Sequence, residues 1–552
     1  MRKTACGRLG AAFPFLVMLL LVAFHYGRFL EVQLQPPGPS FGRPLELASS
    51  DIPGSTAAQL TPGGALLVLW SVRGGIDYAL VSPQASVKAR GRLPLQVDTP
   101  TASPTSLLAG PSALFWLAGP SLTELYWAPF TPAGPSLGSP VRLAGGISSL
   151  RLLYPVGLLA AGPDGLLWFP LDGAGHPDRP QSIPRPGMTL ADGVVLAPGR
   201  VAVVGAVAER GSLRLEYLEL GEAARVTHPL PLGEYGLEEH ELVTHIRCTS
   251  DGEWMYLFVT RQKKDKGGVS IRNFWQAWPA TAPPSGPAPG LTELALARVA
   301  DRQILWLAEP EPAPYPQAGA VAVAFTAVNR GPRGQDEDVL VAEFRGGRPA
   351  DCQFAALTRG AAGQPRLVPP PAGGGRDGGY FLTWVDTAGW GRFRLRLTAS
   401  VPAYRQAMAR VRPSDLMGAL GETAAGMFFS YLPFLFAMGW TVPAFLVLVA
   451  VHAVALNWAE HNPRPLAVAT LVTYLGVKAW VLWRLLHAPV LAMRAPAWVT
   501  PALTPPVLVG AAALAAITLA LRYHRSDGVV GVARFTLWDV LFTCLFLGPF
   551  FR

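Results

Sequence analysis

At 552 residues, 50% hydrophobic and only 15% charged, the chain exceeds one ordinary core and has the composition of a soluble module joined to membrane helices. Its formal charge of +9 has the sign that nucleic-acid binding would need, but residues 1–30 supply +4 of it and residues 427–552 supply +5, so the stretch between them is neutral. That excludes phosphate neutralisation by the soluble part and leaves the excess beside apolar segments, where lipid headgroups and insertion rules favour it.

The chain begins with Arg2, Lys3 and Arg8 ahead of the apolar run Ala11–Phe24, which is the order of an export signal. His25-Tyr26-Gly27-Arg28 is not a small-x-small cleavage site, so residues 1–30 are expected to remain as an uncleaved signal anchor.

From there to the next long apolar block, one pattern recurs seven times: an apolar strand, a short turn, then a second strand with in/out alternation. The first strands begin at Leu66, Ala113, Val156, Val201, Trp254, Ala320 and Tyr380, and their partners at Ile76, Leu122, Gly165, Leu213, Leu291, Asp338 and Arg392. A recurrence of that length belongs to propeller blades. The 58 glycines and 54 prolines concentrate between the strands, where tight turns need a positive or preset φ. Residues 43–400 are therefore read as an all-β propeller of about seven blades. The almost wholly apolar first strands are placed innermost, and the segment from Pro44 to Ser50 is expected to complete the last blade and remove its open edge.

Two turns carry a family resemblance. Cys248-Thr-Ser-Asp-Gly-Glu-Trp-Met-Tyr256 and Gly162-Pro-Asp-Gly-Leu-Leu-Trp168 resemble the Asp-Gly turn of TolB-type and related WD-like propellers, also found in the propellers of prolyl oligopeptidases. The resemblance implies the propeller fold, with the Asp capping backbone amides as the next strand opens. It implies no active site, because this superfold hosts binding, scaffolding and hydrolytic proteins alike.

The stretch Arg261 to Gly290 reads as an insertion between the fifth pair of strands. It is basic at its start and Pro-rich at its end, and Lys263, Lys264, Phe274, Trp275 and Trp278 in it suit stacking on a ligand or partner, with a solvated loop as the plainer reading. Catalytic residues are not assigned. No G-x-S-x-G elbow at a strand-to-helix junction is present, and the acids Glu238, Glu239, Glu241, Asp336, Glu337 and Asp338 have the look of solvated loop faces. Cys6, Cys248, Cys352 and Cys544 show no zinc spacing; Cys248 and Cys352 are expected as free thiols, and no metal or other cofactor is called for.

Residues 401–426 read as a linker or interfacial segment, and 427–552 as a bundle of about four spans. The first apolar block, Met427 to Trp458, would be about 48 Å long as one helix, so it is expected to divide near Met438 into an interfacial piece and a span. The other spans are expected over Leu466–Leu485, Ala502–Leu521 and Phe535–Phe551, with Arg522, Arg525 and Arg534 in a cytoplasmic loop. His452 and Asp539 fall at similar depth and are the expected intramembrane polar pair, with Lys478 snorkelling outward.

These elements describe a multi-pass membrane protein with its propeller outside the cytoplasm, acting as a binding, sensing or scaffolding module in the cell envelope. Its partners would be the lipid bilayer and another envelope protein or surface ligand. A propeller hydrolase or lyase and a transporter subunit are the competing readings.

Overall fold

Seven antiparallel sheets follow one another along the chain, each of four or five strands. They occupy residues 56–94, 106–144, 149–184, 188–236, 241–293, 298–356 and 362–399, named here blades 1 to 7. The computed structural model describes residues 2–95, 106–119, 121–209, 211–221, 230–265, 268–281, 290–296, 298–300, 302–313, 319–331, 334–358, 360–369, 379–389, 391–456, 461, 463–487, 501–522 and 528–551. The first full strand of each blade touches its counterpart in the next, and that of blade 7 meets that of blade 1, so the sheets stand radially around one axis. This is a seven-bladed β-propeller.

The strand Leu45–Ser50 pairs antiparallel with Arg392–Ala399 and supplies the outer strand of blade 7, as its sequence position implies. The closure is reinforced nearby. Gly42 N donates to Ala399 O at 2.9 Å, Thr398 Oγ1 donates to Gly42 O at 2.6 Å, and the buried Arg43 donates Nε to Met408 O at 2.6 Å. Met408 belongs to the short helix α2 (Pro402–Ala409), whose Tyr404 is fully buried and donates its hydroxyl to Leu397 O at 2.8 Å. The first part of the expected 401–426 linker is thus packed into the propeller.

Two expectations about the blades need correction. The apolar strands that the sequence makes conspicuous, such as Leu66–Val72 and Val321–Gly331, are the second full-length strands of their blades, and a more polar strand precedes each of them at the axis. Burial between neighbouring blades falls on the middle of each sheet, and that is where the apolar residues go. In blade 5 the partner of Trp254–Asp265 is Gly268–Pro279, which lies inside the supposed insertion; the expected strand at Leu291 is reduced to the edge pair Thr292–Glu293. The polar start of this hairpin hid it from a reading based on hydrophobic runs. Residues 282–289 of the Pro-rich tract lie outside the described residues.

The chain falls into two compact units: Pro36–Arg410 apart from 331–334, and a helical unit made mainly of Met1–Gln35 and Val411–Arg552. The helical unit contains α1 (Arg2–Leu34), α3 (Pro413–Phe428), α4 (Tyr431–Val454), α5 (Pro463–Leu486), α6 (Thr504–Arg522) and α7 (Gly528–Leu547). The helix α1 runs straight through His25–Arg28 and packs on α3 and α6, so it belongs to the helical unit. The break in the long apolar block falls at Phe429–Ser430 and not near Met438, and Pro443 sits within the continuous α4. Among the described residues four stretches, Ala12–Leu34, Ala437–Val454, Arg464–Leu486 and Val530–Phe550, are long and apolar enough to cross a membrane; Thr504–Ala520 is apolar but shorter. Of the expected basic loop, 523–527 lie outside the described residues, and Gly528 to Arg534 are already helical.

Candidate functional site

The expected ligand-contact residues of blade 5 are engaged within the protein. Trp278 is 4% exposed in the core between blades 4 and 5, edge-on to Tyr217 at 6.3 Å. Trp275 packs on Phe344 of blade 6 at 5.6 Å, and the Arg261 guanidinium lies 4.4 Å from the Phe274 ring centre. Near the hairpin end, Lys263 Nζ is 2.6 Å from Glu238 Oε2, while Lys264 is exposed. In place of the expected insertion stands a blade strand whose aromatic rings serve the core. Of the loop acids, Glu238 is held below the usual carboxylate range first by its hydrogen bond from Lys263. Asp338 is buried and accepts from Arg302 at 2.6 Å, Asn329 at 2.9 Å and Thr358 N at 2.6 Å; burial still raises its pKa to about 6.

The Asp251-Gly252 turn behaves as the resemblance implies. Asp251 Oδ1 accepts from the amides of Glu253 at 2.9 Å and Trp254 at 2.6 Å, and Oδ2 accepts from the Tyr256 hydroxyl at 2.7 Å.

Charge collects instead at the axis, on the polar innermost strands that hydrophobic patterning passes over. Arg151 comes from blade 3, Asp192 from blade 4, His245 and Arg247 from blade 5, Glu309 and Glu311 from blade 6, and Arg366 from blade 7. One carboxylate organises them. Glu311 Oε1 lies 2.8 Å from Arg366 Nη1 and 3.3 Å from Arg151 Nη1, while its Oε2 lies 3.1 Å from Arg247 Nε. Blades 3 and 6 are not neighbours in either direction around the ring, so the Arg151–Glu311 contact spans the central channel. Arg151 also meets Asp192 Oδ1 at 2.9 Å, and Asp192 is completed by the amides of Gly193 at 2.9 Å and Cys248 at 2.8 Å.

Backbone irregularity follows the same residues. Register breaks between Val243 and His245, between Ala308 and Glu311, and between Gly363 and Arg366. Glu309 and Gln364 adopt left-handed φ values of 50° and 54°, which cost a non-glycine residue energy unless the surroundings hold them. Glu309 Oε2 accepts from Gln364 N at 2.6 Å, tying blade 6 to blade 7 at that point. Bulges of this kind re-aim side chains, and here they bring alternate residues of three adjacent strands onto one layer.

Burial raises the carboxyl pKa of Glu311, but the charges of Arg366, Arg247 and Arg151 outweigh it and hold the group at about 2. Burial, followed by the charge of Arg247, lowers the His245 imidazole to about 4, so it is neutral at physiological pH. Cys248 is a buried free thiol and Cys352 a half-buried one, and burial pushes both thiols upward. Among the described residues no group of three or more His, Cys, Asp or Glu is arranged to hold a metal ion.

In the helical unit the expected pair is replaced. Asp539 on α7 accepts from Lys478 Nζ at 2.5 Å and from the Tyr474 hydroxyl, both on α5, and Lys478 also donates to Thr543 Oγ1 at 2.9 Å. His452 on α4 places Nδ1 3.0 Å from Leu448 O within its own helix. Lys478 and Asp539 are both 0% exposed, so Lys478 turns inward instead of snorkelling. The spacing explains the match: Tyr474 and Lys478, like Asp539 and Thr543, are four residues apart and share a helix face.

The chain thus combines a closed seven-bladed propeller with a set of apolar helices. No protein-family model and no curated protein matches its sequence. Among solved structures it is similar to the β-propeller domain of the Trilobed protease from Pyrococcus furiosus, at 12% identity over 63% of this chain and 93% of that one, with a TM-score of 0.35. A protein of unknown function from Dyadobacter fermentans (8% identity, 64% and 98% covered, TM-score 0.38) and Hsv2 from Kluyveromyces lactis (10%, 62% and 98%, TM-score 0.34) are similar to the same extent.

Two outcomes follow from these clusters. A carboxyl held at about 2 contributes stability that is present above its ordinary value of 4.5 and is lost as the pH falls from there towards 2. Glu311→Gln, which leaves three arginines facing one another, should cost on the order of 3 to 5 kcal/mol near neutrality. In thermal denaturation of the full chain in detergent, the gap between wild type and variant should narrow across that acid window. For the buried pair, Lys478→Met and Asp539→Leu should each lower the thermal midpoint, and the double variant should recover most of the loss, because each single change strands a buried charge that the double removes.

Proposed function

We propose that the protein is a membrane-tethered binding or scaffolding module, with its propeller held outside the cytoplasm in the cell envelope and its partner or surface ligand met on the propeller. The observation that carries this reading is the closed ring with a layer of ionised side chains at its axis, from five of its seven blades. In a propeller, the axis is where loops and innermost strands of every blade converge on one ligand. The acids of the layer, Asp192 and Glu311, are engaged by arginines, an arrangement suited to recognition more than to proton transfer. The basic-then-apolar start of the chain favours export of the long domain that follows it, and the apolar helices supply the tether. Gly42 and Ala399 are hydrogen-bonded neighbours, so the chain joins and leaves the ring at one place.

A transporter subunit is the second reading, favoured by the fully buried Lys478–Asp539 pair, since ionisable groups inside apolar helices mark ion and proton pathways in many membrane proteins.

The orientation is tested by single cysteines at Ser270, near the turn of the blade 5 hairpin, and at Ser526, in the basic segment between α6 and α7, with Cys6 and Cys352 replaced by serine. In intact cells or spheroplasts, an impermeant maleimide should label Ser270→Cys and spare Ser526→Cys until the membrane is permeabilised. The reverse pattern would place the propeller in the cytoplasm.

A further inference from the structure

The axial layer has more hydrogen-bond donors than its own acids occupy. Arg151, Arg247 and Arg366 face Asp192 and Glu311, with Glu309 at the border, and the two oxygens of Glu311 are divided among all three guanidiniums. Each guanidinium carries five N–H donors in a planar fork. Arg366 uses Nη1 on Glu311 while its Nε has no acceptor among the described residues, and Arg247 uses Nε on Glu311 and Nη1 on Ile246 O at 2.9 Å. The side chains of Arg247 and Arg366 remain 21% and 24% exposed, against 13% for Arg151, so these two are reachable from the channel. Blades 1 and 2 contribute Thr56–Leu60 and Ser106–Ala109 to the innermost ring, with no ionisable residue between them. The layer is therefore one-sided: arginines approach from blades 5 and 7, and the opposite wall is neutral.

We propose that the axis of the propeller holds a binding site for a carboxylate group of an incoming ligand, formed by Arg247 and Arg366 with His245 beside them. The planar forks of two guanidiniums match the two oxygens of a single carboxylate. A phosphate dianion would set twice the negative charge beside Glu311 and Glu309. Glu311 presets the arginines, which removes part of the ordering cost of binding, and the bulges at His245, Glu311 and Arg366 hold the three strands in the necessary register. Glu309, bound to Gln364 N and to Thr326 Oγ1, borders the site as a fixed negative charge that limits affinity. The site rests on the reading of the propeller as a binding module but not on which side of a membrane the propeller lies.

The test uses the full chain in detergent at pH 7.5 and constant ionic strength, with two matched probe pairs: glucuronate against glucose, and N-acetylglycine against its amide. Binding to the folded state raises the thermal midpoint with ligand concentration. A rise with either acid and none with its neutral partner supports the site, and the acid that acts tells whether an acidic sugar or a chain terminus is the source. That rise should disappear in Arg366→Gln and be at least as large in Glu309→Gln. If Arg366→Gln does not fold, Arg247→Lys keeps the charge without the fork and should reduce the shift several-fold. Equal shifts with acid and neutral probes, shifts that survive both arginine variants, or a larger shift with inorganic phosphate would each overturn the assignment.

Discussion

A propeller has no stable free end. Each of its sheets buries both faces against its neighbours, so a single unfinished blade leaves an unpaired edge and an uncovered face at once. Here the six residues Leu45–Ser50 complete the sheet that ends at Ala399, some 350 residues later. Everything in the ring depends on that long-range pairing, whose closure entropy grows only slowly with the length of the loop it closes. The surrounding contacts of Gly42, Arg43 and Tyr404 hold the same junction from outside the sheet, and they explain why the chain past Ser400 continues as a helix packed on blade 7 instead of as a free linker.

With the ring closed, the innermost strands are forced together, and polar residues that would be unremarkable on a surface become neighbours. Arg151 and Glu311 are 160 residues apart and belong to blades that share no face. Only the complete ring places them in contact. Such a network is a weak source of stability, because desolvation offsets most of the attraction. Its value lies in specificity of geometry: it fixes five blades relative to one axis and keeps a set of oriented guanidiniums on hand. The buried Lys478–Asp539 pair plays a comparable part in the helical unit, setting α5 against α7.

The blade pattern was legible because burial between sheets demands apolar residues in the middle strands, and Leu66–Val72 obeys it at every position but Ser71. The terminal strand Leu45–Ser50 was legible from the geometry of closure. The strand Gly268–Pro279 was not, since its polar and charged residues Ser270, Arg272, Asn273 and Gln276 interrupt any apolar run and a basic stretch of sequence precedes it; the signal that would have found it is the alternation of Phe274, Gln276 and Trp278 against Val259, Leu257 and Met255. The axial cluster was equally hidden. Nothing in the local sequence of Ser149–Leu153 or Arg302–Pro312 marks Arg151 and Glu311 as partners, because the contact is a property of the ring and of bulges that shift side chains off their simple alternation. In the helices, depth along a span suggested His452 for Asp539, but the azimuth around the helix decides which groups meet, and it favours the Tyr474–Lys478 face.

The most direct test of this account is a double-mutant cycle across the channel, with Arg151→Gln, Glu311→Gln and the pair, read as unfolding free energies at neutral pH. A closed ring with a carboxylate shared across its axis predicts a coupling of about 1 kcal/mol or more between residues of blades 3 and 6. Additivity of the two changes to within about 0.5 kcal/mol would mean that the two side chains do not meet, and that the axis of this propeller is not organised by Glu311.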